Sequence, residues 1–193
     1  MALVELIDLE DSSDEMGDVL KEVQAVYGQT LNTWRAIAHN PAVLDAYLPF
    51  VRAVFGSGSL DQRTKDLVAV RVCYLNQCRY SLSHRVASAR RQGVSDDDLA
   101  GLADPESHSF SEAEKAALAF AEELTIGPAS VTYEEGPQVV SDSTLGSVKQ
   151  LYSDAAINDL AISVGLWNML TRYHRVMGLE LDMPPPPVSL DVG

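Results

Sequence analysis

The stretch NQCRYSLSHR, Asn76 to Arg85, places a thiol, two serine hydroxyls, an imidazole and a guanidinium within ten residues. On a helix, residues three, four and seven apart share a face. That spacing stacks Cys78, Ser81 and Arg85 in one stripe, with His84 beside Ser81 and about a third of a turn away from Cys78. If Cys78 begins the helix, unsatisfied backbone N–H groups and the helix dipole favour its thiolate. Arg85, two turns along, adds positive charge. A hydroxyl at Ser81 can donate to that thiolate and cannot form a disulfide with it. Asp66, twelve residues before Cys78, meets this face if the two helices pack as a hairpin, as a carboxylate suited to orienting a base or relaying a proton. A plainer reading stands beside this one: free cysteines are usually small buried hydrophobes, and a lone His84 is a satisfied polar side chain at a helix surface. For Cys73, inside the apolar run LVAVRVCYL, the core role is the expected one. His39, His108 and His174 sit apart in the sequence and share no ligand spacing. Without a CxxC pair, a Walker loop, GxGxxG, GxSxG or HExxH, no metal or nucleotide cofactor is expected.

The surrounding charge is uneven. From Arg63 to Arg91 there are seven basic residues and one acid, Asp66, a local net of +6 in a chain whose formal charge is −14. Two readings fit: the arginines pair with acidic surfaces of neighbouring helices or of a second subunit, or they frame a cationic pocket for a small anion. On the second reading Arg71, Arg79 and Tyr80 join Arg85 as substrate-binding residues.

The elements that must position these groups read as helices. Ser12 with Glu15 forms a capping box ahead of Val19, Leu20, Val23 and Val26. Trp34, Ile37 and Ala38 suggest a short helix, and Asn40–Pro41 opens another that runs through Phe55. Gly56–Ser57–Gly58 is a break. Ser59 to Leu75 is read as helix despite its β-branched centre, because it is too long for one strand. Asn76–Gln77 is the joint to a helix from Cys78 to Arg91, stopped at Gly93. Ser95 with Asp98 and Ser111 with Glu114 start two more. The span from Gly127 to Gly146 reads as loops around one or two turns, and Asp154 to Val176 as a long apolar helix ending at Gly178. Pro184 to Pro187 is an extended arm, either wrapping a neighbouring subunit or disordered. The expected fold is all-α: one domain over residues 1–183, its core motif at 59–102, and a proline-rich tail at 184–193.

Length and composition agree with a single domain. At 193 residues with 46% hydrophobic content, the chain buries a core without staples. The acidic balance disfavours nucleic acid and anionic membrane as partners. No apolar run approaches a membrane span, and the start MALVELIDLEDSSDE lacks a signal pattern, so a cytoplasmic protein is expected.

The segment DLVAVRVCYLNQCRYSLSHRVASARRQGVSDDDLAGL, Asp66 to Leu102, resembles the carboxymuconolactone decarboxylase and alkylhydroperoxidase D-like superfamily. The leader YGQTLNTWRAIAHNPAVLDAY and the C-terminal YHRVMGLEL extend the likeness over most of the chain. The resemblance implies an all-helical bundle built around a helical hairpin, a homo-oligomer (dimer, trimer or hexamer) and no bound cofactor. It also implies a thiol-dependent peroxidase, an antioxidant oxidoreductase, centred on Cys78. Carried over position by position, the peroxidase glutamate falls on Asp66, the first cysteine on Cys78, the peroxide-attacking cysteine on Ser81 and the histidine on Arg85, with His84 one place early. The site therefore departs from the peroxidase pattern at three of four positions. Two alternatives follow. One is a cofactor-free decarboxylase or lyase on a small anionic lactone or keto acid, with Arg71, Arg79 and Arg85 holding the anion and His84 or Asp66 moving the proton. The other is an oligomeric scaffold without catalysis.

Overall fold

The computed structural model describes residues 2–8, 21, 24–25, 28–127 and 139–192. Among them are eight α-helices and two short 3-10 turns, and no strand. In chain order the helices are α1 (Asn32–Ile37), α2 (Pro41–Phe55), α3 (Gln62–Leu75), α4 (Arg79–Arg91), α5 (Asp96–Gly101), α6 (Glu112–Ile126), α7 (Asp142–Leu151) and α8 (Asp154–Met177). The expected all-α fold is present. The capping box at Ser12 and the stripe residues Val19, Leu20, Val23 and Val26 lie outside the described residues.

Helix α3 is the centre of the molecule. Ten of its fourteen residues are buried, and it packs against α4, α6 and α8. Its Leu67, Val68, Val70 and Val72 are fully enclosed, each contributing roughly 1.5–3 kcal/mol through burial. A strand could not bury side chains on all sides here without sheet neighbours to take its backbone bonds, so the β-branched run folds as helix. Asp61 caps α3, its side chain accepting from the Thr64 N–H. The chain then turns through Gln77, whose φ of 51° lies in the left-handed region. The Cys78 N–H closes the turn on the Cys73 carbonyl at 3.1 Å, and α4 returns along α3 as the expected hairpin.

The other boundaries follow local capping chemistry. Asn40, Ser95, Ser111, Ser141 and Ser153 each accept a backbone N–H at a helix start, and Ser111 with Glu114 forms the full capping box. Helix α8 ends at Gly178, left-handed at φ 61°. In the span read as loops around one or two turns, α7 begins at Asp142 and runs on past Gly146 to Leu151. Its start signal is Ser141, which the glycines and prolines nearby obscured. Beyond Pro187 a 3-10 turn, Val188–Leu190, carries Leu190 fully into the main core. The tail thus packs on its own chain. No helix among the described residues is long and apolar enough to cross a membrane.

Candidate active site

A cavity of about 80 Å³ opens between α2, α4 and α8, with residues next to and within α1 forming a further wall. Helix α2 contributes Tyr47, Leu48, Val51, Arg52 and Phe55. Helix α4 contributes Tyr80, Ser81, His84 and Arg85, and α8 contributes Trp167, Leu170 and His174. Leu31, Thr33 and Trp34 complete it. The hairpin joint aims one face of α4 at this space, which is why four residues of the NQCRYSLSHR stretch reach it together.

Arg85 is the unusual member. Its guanidinium carbon lies 4.6 Å from the ring centroids of both Phe55 and Trp167, and those rings are themselves 5.0 Å apart. The cation therefore sits in the notch between two tilted aromatic faces, an arrangement attractive to a weakly hydrated guanidinium. Its buried Nε has no hydrogen-bond partner, and no carboxylate among the described residues stands within ion-pair distance. Burial lowers its pKa below the usual arginine range, against the opposing fields of Cys73 and Asp66. Asp66 is buried close enough to interact electrostatically with Arg85. One of its oxygens accepts from Gln62 at 3.1 Å, and the other has no partner. Burial raises its pKa despite the Gln62 bond and the Arg85 field.

A chain of hydrogen bonds runs along the opposite wall. Cys78 Sγ lies 3.0 Å from Ser81 Oγ, which lies 2.8 Å from His174 Nδ1. His174 Nε2 is 3.0 Å from Thr33 Oγ1, and the Thr33 hydroxyl and N–H both reach the Tyr80 hydroxyl at 3.2 Å. Tyr80 in turn donates to Asp182 Oδ2 at 2.8 Å. Chemistry fixes the direction. Burial would raise the Asp182 pKa, but bonds from His84, the Asn32 N–H and Tyr80 outweigh it and hold the carboxyl below its ordinary range. An ionised carboxylate only accepts, so the single Tyr80 proton goes to Asp182. Thr33 must then donate to Tyr80 and accept from His174 Nε2–H. His174 Nδ1 is left with its lone pair, Ser81 donates to it, and the Cys78 thiol donates to Ser81. Burial, aided by the nearby His84, pushes the His174 pKa down to about 3 against the field of Asp182, so the imidazole is neutral at pH 7.

The second imidazole closes the site. His84 Nε2 lies 2.5 Å from Asp182 Oδ1, and its ring packs 4.6 Å from that of Tyr80. Asp182 thus serves both His84 and the end of the relay. With the Nε2 proton directed at the carboxylate, neutral His84 keeps a lone pair on Nδ1, the arrangement of a general base held by an orienting carboxylate.

The structure sorts the residues expected from sequence into three groups. Tyr80, Ser81, His84 and Arg85 line the cavity together. Asp66 and Cys78 stand behind it: the Cys78 side chain is 2% exposed, packed with Ala36, Tyr80 and Leu179, and reaches the cavity only through Ser81. Arg71 and Arg79 are not brought to the cavity. Arg71 is buried elsewhere, donating to the Leu102 carbonyl at 2.8 Å, the Ala103 carbonyl at 3.1 Å and Glu122 at 2.5 Å. Arg79 forms a two-bond pair with Asp191 at 2.8 and 3.0 Å near the surface. For these two the ion-pairing reading of the basic segment holds, because carboxylates and carbonyls of neighbouring elements lie within reach. His84 is buried, not a surface side chain. Cys73 is fully enclosed, as its apolar context implies, and burial pushes its thiol well above the ordinary range.

Sequence reasoning missed His174, Thr33 and Asp182. His174 carried a signal: it lies four residues after Leu170 and seven after Trp167, on the apolar stripe of α8. Thr33 and Asp182 carried none, because they reach the site only through tertiary packing, Asp182 from the segment after Gly178.

The helical bundle and its motif region define a class. Residues 41–123 match the model of the carboxymuconolactone decarboxylase family, and the chain belongs to that family. It is 33% identical over 85 residues to uncharacterized protein 4 in the cox locus of Paracoccus denitrificans, covering 44% of this chain and 71% of that one. Its fold matches the alkylhydroperoxidase D core of a peroxidase-related protein from Ralstonia eutropha JMP134, with a TM-score of 0.78, 16% identity and coverage of 99% and 95%. It matches a debrominase solved with 2,3,4-tribromopyrrole at a TM-score of 0.77, 19% identity and coverage of 94% and 92%. At these identities the structural likeness is one of fold.

Proposed function

We propose that this protein is an enzyme that moves a proton to or from a small anionic substrate, of the lactone or keto-acid type, held in the cavity by Arg85. The observation that carries this reading is Arg85 itself, a partly buried cation whose enclosed Nε has no partner and which has no carboxylate among the described residues within ion-pair distance, facing a cavity that also holds two imidazoles. Burying an unpaired charge is costly unless a counter-charge arrives, and a substrate carboxylate supplies one. His84, oriented by Asp182, acts as the general base or acid. In a decarboxylation the carbon–carbon bond to the leaving carboxylate breaks, carbon dioxide departs, and the electron pair stays on the substrate as an enolate. Arg85 faces the enolate charge, and protonated His84 returns a proton to carbon. In an isomerisation His84 Nδ1 takes the proton adjacent to the carbonyl and gives it back at another carbon.

A second reading has its own observation, the 3.0 Å contact of Cys78 with Ser81. Through Ser81 the thiol proton has a path to His174 Nδ1, so Cys78 thiolate could attack a peroxide oxygen, releasing an alcohol and leaving a sulfenic acid for two external thiols to reduce. The enclosure of the sulfur behind Ser81 ranks this reading second.

A screen of small lactones and keto acids tests the first reading, and peroxide consumption with a thiol reductant tests the second. The first expects turnover in the screen, lost in His84→Gln and in Arg85→Gln. Turnover that survives both substitutions would refute it, as would activity confined to peroxide and abolished in Cys78→Ala. We further propose a homo-oligomer, in which the exposed side chains Ile162, Met169 and Val176, spaced seven residues apart on α8, meet a second copy.

A further inference from the structure

The cavity is also suited to bind an anion of a second class, held and not turned over, and this inference rests on Arg85 as the group that holds it. Aromatic residues make up 7% of the chain, yet five of the fifteen residues lining the cavity are aromatic, including both tryptophans. Trp34, Tyr47, Phe55 and Trp167 form walls around one inner cation, and Leu170 adds hydrocarbon. The remaining lining arginine, Arg52, is exposed on the outer wall. The Arg85 guanidinium carbon lies 4.6 Å from the Phe55 and Trp167 ring centroids, and its Nε–H, enclosed and without a partner, is a donor that a carboxylate would satisfy. A planar acid whose ring is conjugated to its carboxylate continues from that donor along aromatic walls. An aliphatic dicarboxylate places its second charge against hydrocarbon, which is costly, or out at the exposed Arg52, where water already solvates it. We infer that the cavity takes a small planar aromatic monocarboxylate.

Because Trp34 and Trp167 both line the cavity and are the chain's two tryptophans, intrinsic fluorescence reports its occupancy. The test titrates the full-length protein with benzoate, benzamide, cyclohexanecarboxylate and adipate, with calorimetry as a second readout. Benzoate is expected to bind saturably, at least tenfold tighter than benzamide or adipate and at least fivefold tighter than cyclohexanecarboxylate. Arg85→Gln is expected to weaken benzoate at least tenfold. Phe55→Leu, which retains the cation, is expected to bring benzoate and cyclohexanecarboxylate within about twofold of each other. The ranking in the unsubstituted protein stands even if a variant folds poorly. If adipate or cyclohexanecarboxylate equals benzoate while Arg85→Gln still weakens binding, the aromatic assignment is overturned and the anion-holding role of Arg85 survives. If none of the four binds saturably, or binding ignores Arg85, both are overturned.

Discussion

Arg85 keeps its charge with no carboxylate among the described residues in ion-pair distance, whereas His174, which lines the same cavity, is held neutral by burial. The difference follows from intrinsic pKa: a guanidinium keeps its proton far above pH 7, while an imidazole gives its proton up when desolvated. His174 therefore makes stability depend on pH in a definite direction. Its folded pKa, about 3, lies below the ordinary value of 6.5. The unfolded chain binds the extra proton between those values, so stability is complete above pH 6.5 and declines as pH falls towards 3. From neutrality to pH 5 this one group accounts for a loss of about 2 kcal/mol. Urea denaturation across that range should show a correspondingly smaller loss in His174→Gln, and identical slopes would remove the neutral, buried imidazole. Ser81 tests the relay from its middle. Ser81→Ala leaves His174 Nδ1 without its donor and the Cys78 thiol without its acceptor. The expected destabilisation is about 1–3 kcal/mol, read from the denaturation midpoint, and a neutral outcome would mean that the chain of bonds does not form.

Two junctions position the site at the scale of elements. The α3–α4 joint at Gln77 turns the reactive stretch onto the cavity, and the end of α8 at Gly178 sends the chain back with Asp182. Gly178 occupies the left-handed region at φ 61°, where a Cβ is strained, so Gly178→Ala should cost about 1 kcal/mol in thermal or urea unfolding. Little change there would show that the C-cap tolerates a side chain. Arg71 ties α3 to the carbonyls after α5 and to Glu122 on α6. Arg71→Met should lower stability by at least about 1 kcal/mol while benzoate affinity at the cavity stays within twofold. A collapse of affinity at unchanged stability would return Arg71 to the site. The helices themselves were readable because capping residues, glycine stops and apolar periodicity are local. For α7 a turn or two was readable but not the run to Leu151, since its one serine cap had to be seen among loop formers. At the site, Ser81, His84 and Arg85 were legible because helical spacing alone groups them. Thr33 and Asp182 were not, because no local pattern links residues that meet only after the first helix and the tail pack on α4.

For the whole molecule, the charge map divides into scaffold and site. Arg63 bridges Asp98 and Glu114 at 3.0 and 2.6 Å, Arg90 meets Asp96 at 2.8 Å, and Arg79 and Arg71 have partners too. Four of the seven basic residues thus pair with acids, and sequence could not tell that Arg85 would face the cavity instead. The outward face of α8 is the matching question for assembly. If Ile162, Met169 and Val176 meet a second copy, sedimentation should show an oligomer that Met169→Lys shifts towards monomer, and an unsubstituted monomer at micromolar concentration would rule that contact out. The division of the arginines carries the functional account, and steady-state kinetics on a substrate from the lactone and keto-acid screen tests it most directly. Loss of a transition-state charge partner is worth roughly a hundredfold or more in rate. The account predicts kcat/KM reduced at least that far in Arg85→Gln and kept within twofold in Arg79→Gln, whose side chain pairs with Asp191 outside the cavity. Equal losses in the two variants, or full activity in Arg85→Gln, would contradict it.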